Sequence, residues 1–355
     1  MNGEPIRVLV ADDSSFMRRL ITSVLESDPG IAVVGHAKHG REALALVKEL
    51  KPQVVTMDVE MPEMNGIDAL RQIMIECPTP TVMLSSLTQQ GAVTTMECLE
   101  LGAVDFVGKP SGSLSFSLDS VTDELVAKVK MAASARLSRF AGPRVSRPMS
   151  RGIVRKGVVF IGSSTGGPKA LLSVIPALPG DLGVPVVVVQ HMPPGFTASL
   201  AKRLDSDSQL VVKEAAEGDV LEPNTVLVAP GGLHLTFRVG GVAHLDEEPP
   251  RHGVRPCVDI TLESMLPHYG RSIVGVILTG MGKDGALAMK QLYDKGGWTI
   301  AEAESSCVVY GMPRAAVELG GVRRQAALQE IPREIVAGVH MLSGEVTAPL
   351  ERKVI

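Results

Sequence analysis

The stretch GVVFIGSSTGGPKALLSVIPAL, residues 157–178, reads as a strand, a glycine-rich turn and a helix that starts near Pro168. Inside the turn Gly162, Ser164 and Gly166 spell G-x-S-x-G, the spacing that lets a serine sit on a sharp bend between a strand and a helix. Backbone N–H groups at such a helix N-terminus can stabilise an oxyanion. Gly/Ser-rich loops ahead of helices also cradle phosphate. GSSTGGPK, however, lacks the Lys-Ser/Thr pair that closes a P-loop and has no GxGxxG.

A nucleophilic serine needs a base and a group that orients the base. VPVVVVQHMPPGF supplies a strand, Val184–Gln190, with His191 at its carboxyl end, where an α/β sheet places its site. His36 and His39 belong to the N-terminal segment, His234 and His244 to the hairpin HLTFRVGGVAHLD, and His252, His268 and His340 follow no comparable strand. The third partner stands in SIVGVILTGMGKDGALAMKQL. There the strand Ile273–Thr279 runs into a glycine-flanked turn with Asp284, followed by a helix. The competing role for Asp284 is to cap that helix. The chain order Ser164, His191, Asp284 differs from the α/β-hydrolase, chymotrypsin and subtilisin orders and predicts a hydrolase on another α/β scaffold.

Ahead of this segment, IRVLVA (6–11), IAVVGHA (31–37), VVTM (54–57), TVMLSS (81–86) and AVDFVG (103–108) alternate with amphipathic stretches of helix length. Apolar strands separated by helices predict βαβ units and a parallel sheet covered on both faces. Its carboxyl rim carries Asp12 and Asp13, then Asp58, Ser85 with Ser86, and Lys109 before Pro110. Carboxylates on one rim suit a hard divalent cation such as Mg²⁺, which shares oxygen ligands with phosphate. Were Asp58 phosphorylated, Lys109 could pair with the phosphoryl oxygens and Ser85 donate to them.

At 355 residues the chain is too long for one ordinary core, which predicts two domains. The net charge of −4 hides an uneven spread. Residues 1–124 carry 9 basic against 18 acidic side chains, 125–156 carry 9 basic and no acidic ones, and the rest 17 against 21. The basic block (Lys128, Lys130, Arg136, Arg139, Arg144, Arg147, Arg151, Arg155, Lys156), broken by Gly142, Pro143 and Pro148, reads as an exposed tether. Only 11 aromatics occur, and Phe140 is the one within the block, which disfavours base stacking on nucleic acid. Cys77, Cys98, Cys257 and Cys307 form no CxxC pair, so neither a disulfide framework nor a zinc site is indicated. The longest apolar runs are far too short to span a bilayer, and reduced thiols fit a cytoplasmic protein.

Two resemblances follow. DDSSFMRRL, MDVEMPEMNGID, MLSS and GAVDFVGKP resemble the two-component receiver domain over about residues 3–120. That resemblance implies that Asp58 is the phosphoacceptor, that Asp12, Asp13 and Asp58 hold Mg²⁺, and that Ser85 and Lys109 read the phosphoryl group. It also implies that Phe106 shifts inward on activation. IGSSTGGP, VVQHMPPGF, APGGLHL, RPCVDI, LTGMGKDGA and SSCVVYGMPRAA resemble the catalytic domain of the chemotaxis protein-glutamate methylesterases, the CheB family, over about residues 157–345. Carried over by position, Ser164 is the nucleophile, His191 the base and Asp284 its orienter, with Thr165 and Met281 beside the oxyanion. Ser163 departs from the family, which often has alanine there. It places a second hydroxyl beside Ser164, and the G-x-S-x-G register favours Ser164.

The expected architecture is α/β. It comprises two doubly wound parallel-sheet domains, a flavodoxin-like receiver (1–120) and a methylesterase domain (157–355), joined by a helix end and basic linker (121–156). The resemblance implies hydrolysis of glutamate methyl esters and deamidation of glutamines on chemoreceptors, and a monomer is expected. Phosphotransfer from a chemotaxis histidine kinase would control the rate by loosening a receiver packed over the Ser164 site. The esterase reaction itself needs no cofactor, and neither nucleic acid nor membrane insertion is expected. Two alternatives are a hydrolase of the same fold acting on another protein ester or amide, and a response regulator with a nucleic-acid-binding output.

Overall fold

The computed structural model describes residues 4–86, 89–109, 118–135 and 154–343. The chain divides into two compact units, the first of residues 1–141 with 193–199 and the second of 142–192 and 200–355.

In the first unit β1 (Ile6–Ala11), α1 (Ser15–Glu26), β2 (Ile31–Ala37), α2 (Gly40–Leu50) and β3 (Val54–Asp58) are followed by α3 (Gly66–Glu76), β4 (Thr81–Ser85), α4 (Gln89–Leu101), β5 (Asp105–Gly108) and α5 (Leu118–Ser134). All strand pairs are parallel and the order is β2-β1-β3-β4-β5. Every residue of β3 and β4 is buried, so these strands are apolar without alternation. Three helices start on side-chain caps that satisfy an orphan N–H: Ser14 for α1, His39 for α2 and Asn65 for α3. Strand order reverses at β1, between β2 and β3, which opens the crevice at the ends of β1 and β3.

The helix end expected after residue 120 belongs to α5, which runs to Ser134 and packs on α1 and the sheet. Lys128, counted above with the exposed basic block, is largely buried. Its Nζ lies 3.3 Å from Asp105 Oδ1 and 2.8 Å from Glu124 Oε1, and donates to the Phe106 carbonyl at 2.6 Å. Lys130 pairs with Asp28, and Arg155 Nη1 donates to the carbonyls of Asp181 (2.9 Å) and Leu182 (3.1 Å). Charge composition alone does not separate a tether from a helix whose lysines turn inward to meet buried acids. The block's other arginines, from Arg136 to Arg151, lie outside the described residues. Replacing Lys128 by methionine strands the buried Asp105 carboxylate. The expected cost is about 3 kcal/mol, read as a shift of the receiver's urea unfolding midpoint.

The second unit comprises β6 (Val158–Ser163), α6 (Gly167–Val174), β7 (Val186–Gln190), α7 (Phe196–Asp207), β8 (Val211–Glu214), β9 (Thr225–Val228), β10 (His234–Arg238) and β11 (Val242–Asp246). It continues with α8 (Val258–Tyr269), β12 (Ile273–Ile277), α9 (Ala286–Asp294), β13 (Trp298–Glu302), α10 (Met312–Glu318), β14 (Arg324–Ala326) and α11 (Ile331–Leu342). β10 and β11 form the antiparallel hairpin anticipated from the sequence. The other seven strands make a parallel sheet, ordered β14-β13-β12-β6-β7-β9-β8. The first strand of this sheet, β6, lies inside it, with β7 on one side and β12 on the other. Strand order therefore reverses at β6, and the crevice above its carboxyl end is where such a sheet binds ligands. No helix among the described residues is long and apolar enough to cross a membrane.

Candidate active site and phosphoacceptor site

Strand register brings the three residues of the second unit together. Ser163 pairs with Gln190 across β6 and β7, so Ser164 and His191 each lie one residue beyond the last matched pair. On the other side the Ser164 N–H donates to the Thr279 carbonyl at 3.1 Å, which ties the Ser164 turn to the loop after β12. Two glycines make the bend possible. Gly166 adopts φ +76°, and a Cβ there would sit 2.6 Å from Val308 Cβ. A Cβ on Gly280 would come within 2.9 Å of Ser164 Cβ and 2.3 Å of Met312 Sδ.

His191 Nε2 lies 2.8 Å from Asp284 Oδ2. Asp284 is 2 % exposed and accepts three further hydrogen bonds: from Val258 N–H at 2.7 Å, Asp259 N–H at 2.9 Å and the Cys257 thiol at 3.1 Å. The two amides belong to the first turn of α8, whose unpaired N–H groups and positive dipole end favour an anion. Burial alone would push the Asp284 carboxyl up. The hydrogen bond and charge of His191, with the Asp259 N–H and the thiol, outweigh it and hold the group down at about 2. Burial, reinforced by the Asp284 charge, pushes the Cys257 thiol up, so it stays protonated and donates. Because the carboxylate only accepts, His191 Nε2 must carry the proton, which leaves Nδ1 as the free base.

Asp284 does not cap the helix that follows it, since α9 begins after Gly285 with no side-chain cap. Its carboxylate serves the N-terminus of α8 instead. Ser164 is partly exposed and its Oγ makes no hydrogen bond among the described residues. Ser163 is fully buried and its Oγ donates to Gln190 Oε1 at 2.7 Å. The backbone N–H groups of Thr165 and Met281 have no partner among the described residues. Thr279 Oγ1 donates to the Thr165 carbonyl at 3.0 Å, and buried Glu302 accepts the Thr279 N–H at 2.8 Å, so the turn is held from beneath.

Sequence reasoning passed over Gln190, Cys257, Glu302 and the α8 N-terminus. The signals were faint: a polar side chain closing the apolar run VVVVQ, and the stretch RPCVDI, quoted without a role. His252, set aside above, makes a second imidazole–carboxylate pair, Nε2 to Asp259 Oδ2 at 3.0 Å.

In the first unit Asp12, Asp13 and Asp58 present carboxylate oxygens within 4.8 Å of one another. Lys109 Nζ sits 2.9 Å from Asp12 Oδ2 and 2.6 Å from Asp58 Oδ2. Burial pushes the Asp58 carboxyl up, to about 6, with Asp12 adding to the push and Lys109 and the Glu60 N–H opposing it. Three hard oxygen donors beside one ammonium fit a Mg²⁺ ion together with a phosphoryl group. A cavity of about 510 Å³, lined among others by Asp13, Glu60, Asn65 and Thr94, opens beside them. The Ser85 hydroxyl is engaged elsewhere, donating to the Gly91 carbonyl at 3.2 Å and accepting from Thr95 Oγ1 at 2.8 Å. Phe106 is buried, with Lys128 Nζ 5.2 Å from its ring centroid.

Comparison with known proteins matches each unit to a family. Residues 159–335 match the sequence family described as CheB methylesterase, and residues 8–115 match the response regulator receiver domain. A protein-glutamate methylesterase/protein-glutamine glutaminase of Symbiobacterium thermophilum is 52% identical, the match covering 94% of this chain and 97% of that protein. One of the same name from Pyrococcus abyssi is 44% identical, covering 97% and 96%. The crystal structure of the Thermotoga maritima CheB methylesterase catalytic domain superposes with a TM-score of 0.50 at 45% identity, covering 52% of this chain and 99% of that one. Along nearly its whole length, then, this chain belongs to the CheB methylesterase family, with a response regulator receiver domain ahead of its catalytic domain.

Proposed function

We propose that this chain removes methyl groups from glutamate methyl esters, and ammonia from glutamines, on chemoreceptors, at a rate set by phosphorylation of Asp58. The observation that carries the chemistry is the pairing of His191 with the depressed, four-fold anchored Asp284 beside an unengaged Ser164 hydroxyl.

His191 Nδ1 takes the Ser164 proton as Oγ attacks the side-chain carbonyl, and the oxyanion forms against the N–H groups of Thr165 and Met281. The imidazolium, stabilised by Asp284, gives the proton to the leaving methoxide oxygen, forming methanol, or to the leaving amide nitrogen, forming ammonia. Water then gives a proton to the same nitrogen and attacks the acyl-enzyme, releasing glutamate and restoring Ser164. The water's hydroxyl ends on the glutamate, and its proton passes from His191 to Ser164 Oγ, replacing the one that left with the methanol.

In the receiver, Asp12, Asp13 and Asp58 would hold Mg²⁺, which when bound neutralises charge between carboxylates and phosphoryl oxygens. Asp58 accepts the phosphoryl group from a chemotaxis histidine kinase, and Lys109 pairs with it; Ser85 reads it after releasing Gly91, and Phe106 follows. The chain acts as a cytoplasmic monomer.

Methanol release from methylated receptor membranes tests the reading. With a phosphodonor and Mg²⁺ the rate is expected to rise about 5- to 150-fold, a coupling of about 1–3 kcal/mol. In Asp58→Asn the donor is expected to change nothing. A donor response that survives in Asp58→Asn, or release of methanol from none of the receptor esters, counts against it.

A further inference from the structure

Gln190 closes β7 and is 1% exposed, a primary amide in a place where every polar atom must find a partner. Its Nε2 donates to the Ser164 carbonyl at 2.9 Å and to the His191 carbonyl at 3.0 Å. Both carbonyl oxygens only accept, so the NH₂ side must face them and the amide oxygen must face Ser163. The Ser163 hydroxyl meets that oxygen at 2.7 Å. Gly167 leaves the room for this arrangement: a Cβ there would lie 2.0 Å from Gln190 Oε1 and 2.9 Å from Ser163 Cβ. The regular ladder between β6 and β7 ends at Ser163 and Gln190, and beyond it the His191 N–H still reaches the Ser163 carbonyl at 3.1 Å. One planar group therefore ties the main chain of the nucleophile to that of the base where the sheet stops holding them in step.

We propose that Gln190 is a positioning residue that sets the spacing between Ser164 and His191, and that Ser163 acts through it by fixing which way the amide points. This rests on the reading of Ser164 as nucleophile and His191 as base. It gives a role to the second hydroxyl of GSSTGG, which is committed to Gln190 and takes no part in attack. A misplacement of about 1 Å between reacting groups costs about 100-fold in rate, so a clamp on two carbonyls acts on the chemical step more than on receptor binding.

The test uses the full chain as wild type, Gln190→Met, Gln190→Glu, Ser163→Ala and the double variant Ser163→Ala/Gln190→Met. Methanol release from methylated receptor membranes gives kcat and KM, a fluorophosphonate probe gives the reactivity of the serine, and thermal unfolding gives the folded fraction. Both Gln190 variants are expected to lose about 10- to 100-fold in kcat with KM within about twofold of wild type, and to slow probe labelling in parallel. Ser163→Ala is expected to cost about threefold in wild type and nothing further in the Gln190→Met background, the signature of two residues acting as one unit. Wild-type kcat in both Gln190 variants overturns the proposal. So does a loss confined to KM, a loss that tracks the unfolded fraction, or a Ser163→Ala effect that persists in the double variant. Labelling that is lost in Ser163→Ala but kept in Ser164→Ala overturns the nucleophile assignment itself, and the clamp falls with it.

Discussion

Ser164→Ala is expected to lower methanol release by about 10⁴- to 10⁶-fold while the fold and the receiver's phosphorylation stay intact. The substitution deletes the one hydroxyl in the GSSTGG turn that is partly exposed and free of a hydrogen bond among the described residues. It leaves in place the β6 ladder and the 3.1 Å bond from the residue-164 N–H to Thr279. Ser163→Ala serves as the paired control, because its Oγ is buried against Gln190 and cannot reach substrate. Methanol release assayed side by side for the two variants decides the matter. Substantial activity in Ser164→Ala would remove the serine mechanism or move it to another residue.

Asp284→Asn is expected to cost about 10⁴-fold in kcat, because an amide cannot accept on both sides. Whichever way it turns, its NH₂ faces donors: either His191 Nε2 with Val258 N–H, or the Cys257 thiol with Asp259 N–H. In the first case His191 is driven to the wrong tautomer, and in both a buried donor of the α8 N-terminus loses its acceptor, at about 1–3 kcal/mol of stability. The pH dependence has a defined sign. Asp284 sits at about 2 in the folded chain, below the unfolded value of about 3.9. Its stabilisation is therefore fully present above about pH 4 and fades as pH falls toward 2. The gap in urea midpoint between wild type and Asp284→Asn should be constant from pH 7 to about 5 and close in stronger acid. A gap that widens on acidification contradicts the assigned ionisation. Loss of esterase rate on acidification above pH 4 cannot come from Asp284, which stays charged throughout that range.

Much of this was legible in the sequence. Strands hydrophobic along their whole length announced buried parallel sheets, and the rule that ligands gather at carboxyl strand ends singled out Ser164, His191, Asp284 and the acids of the receiver. What remained hidden were contacts made across space. Lys128 reads as one more charge in a basic run until α5 turns it onto Asp105. Cys257 reads as an inert thiol until α8 brings it to Asp284. The capping role considered for Asp284 was right in kind and wrong in address. Its carboxylate does meet helix N–H groups, but those of a helix that begins 26 residues earlier in the chain. Local patterns report periodicity and turn chemistry, whereas register and packing decide which distant polar groups meet.

The position of β6 between β7 and β12 also makes the site a reporter of global assembly. Ser164, His191 and Asp284 arrive on three separate strand–loop units, and no continuous segment shorter than 121 residues contains all of them. On the proposed assignment of these three residues, a chain emerging from the ribosome acquires esterase activity only once β12 has closed against β6, a long-range pairing. On the same assignment, cutting the chain in the exposed stretch at 247–248 is expected to leave two inert halves, with recovered turnover measuring their reassociation.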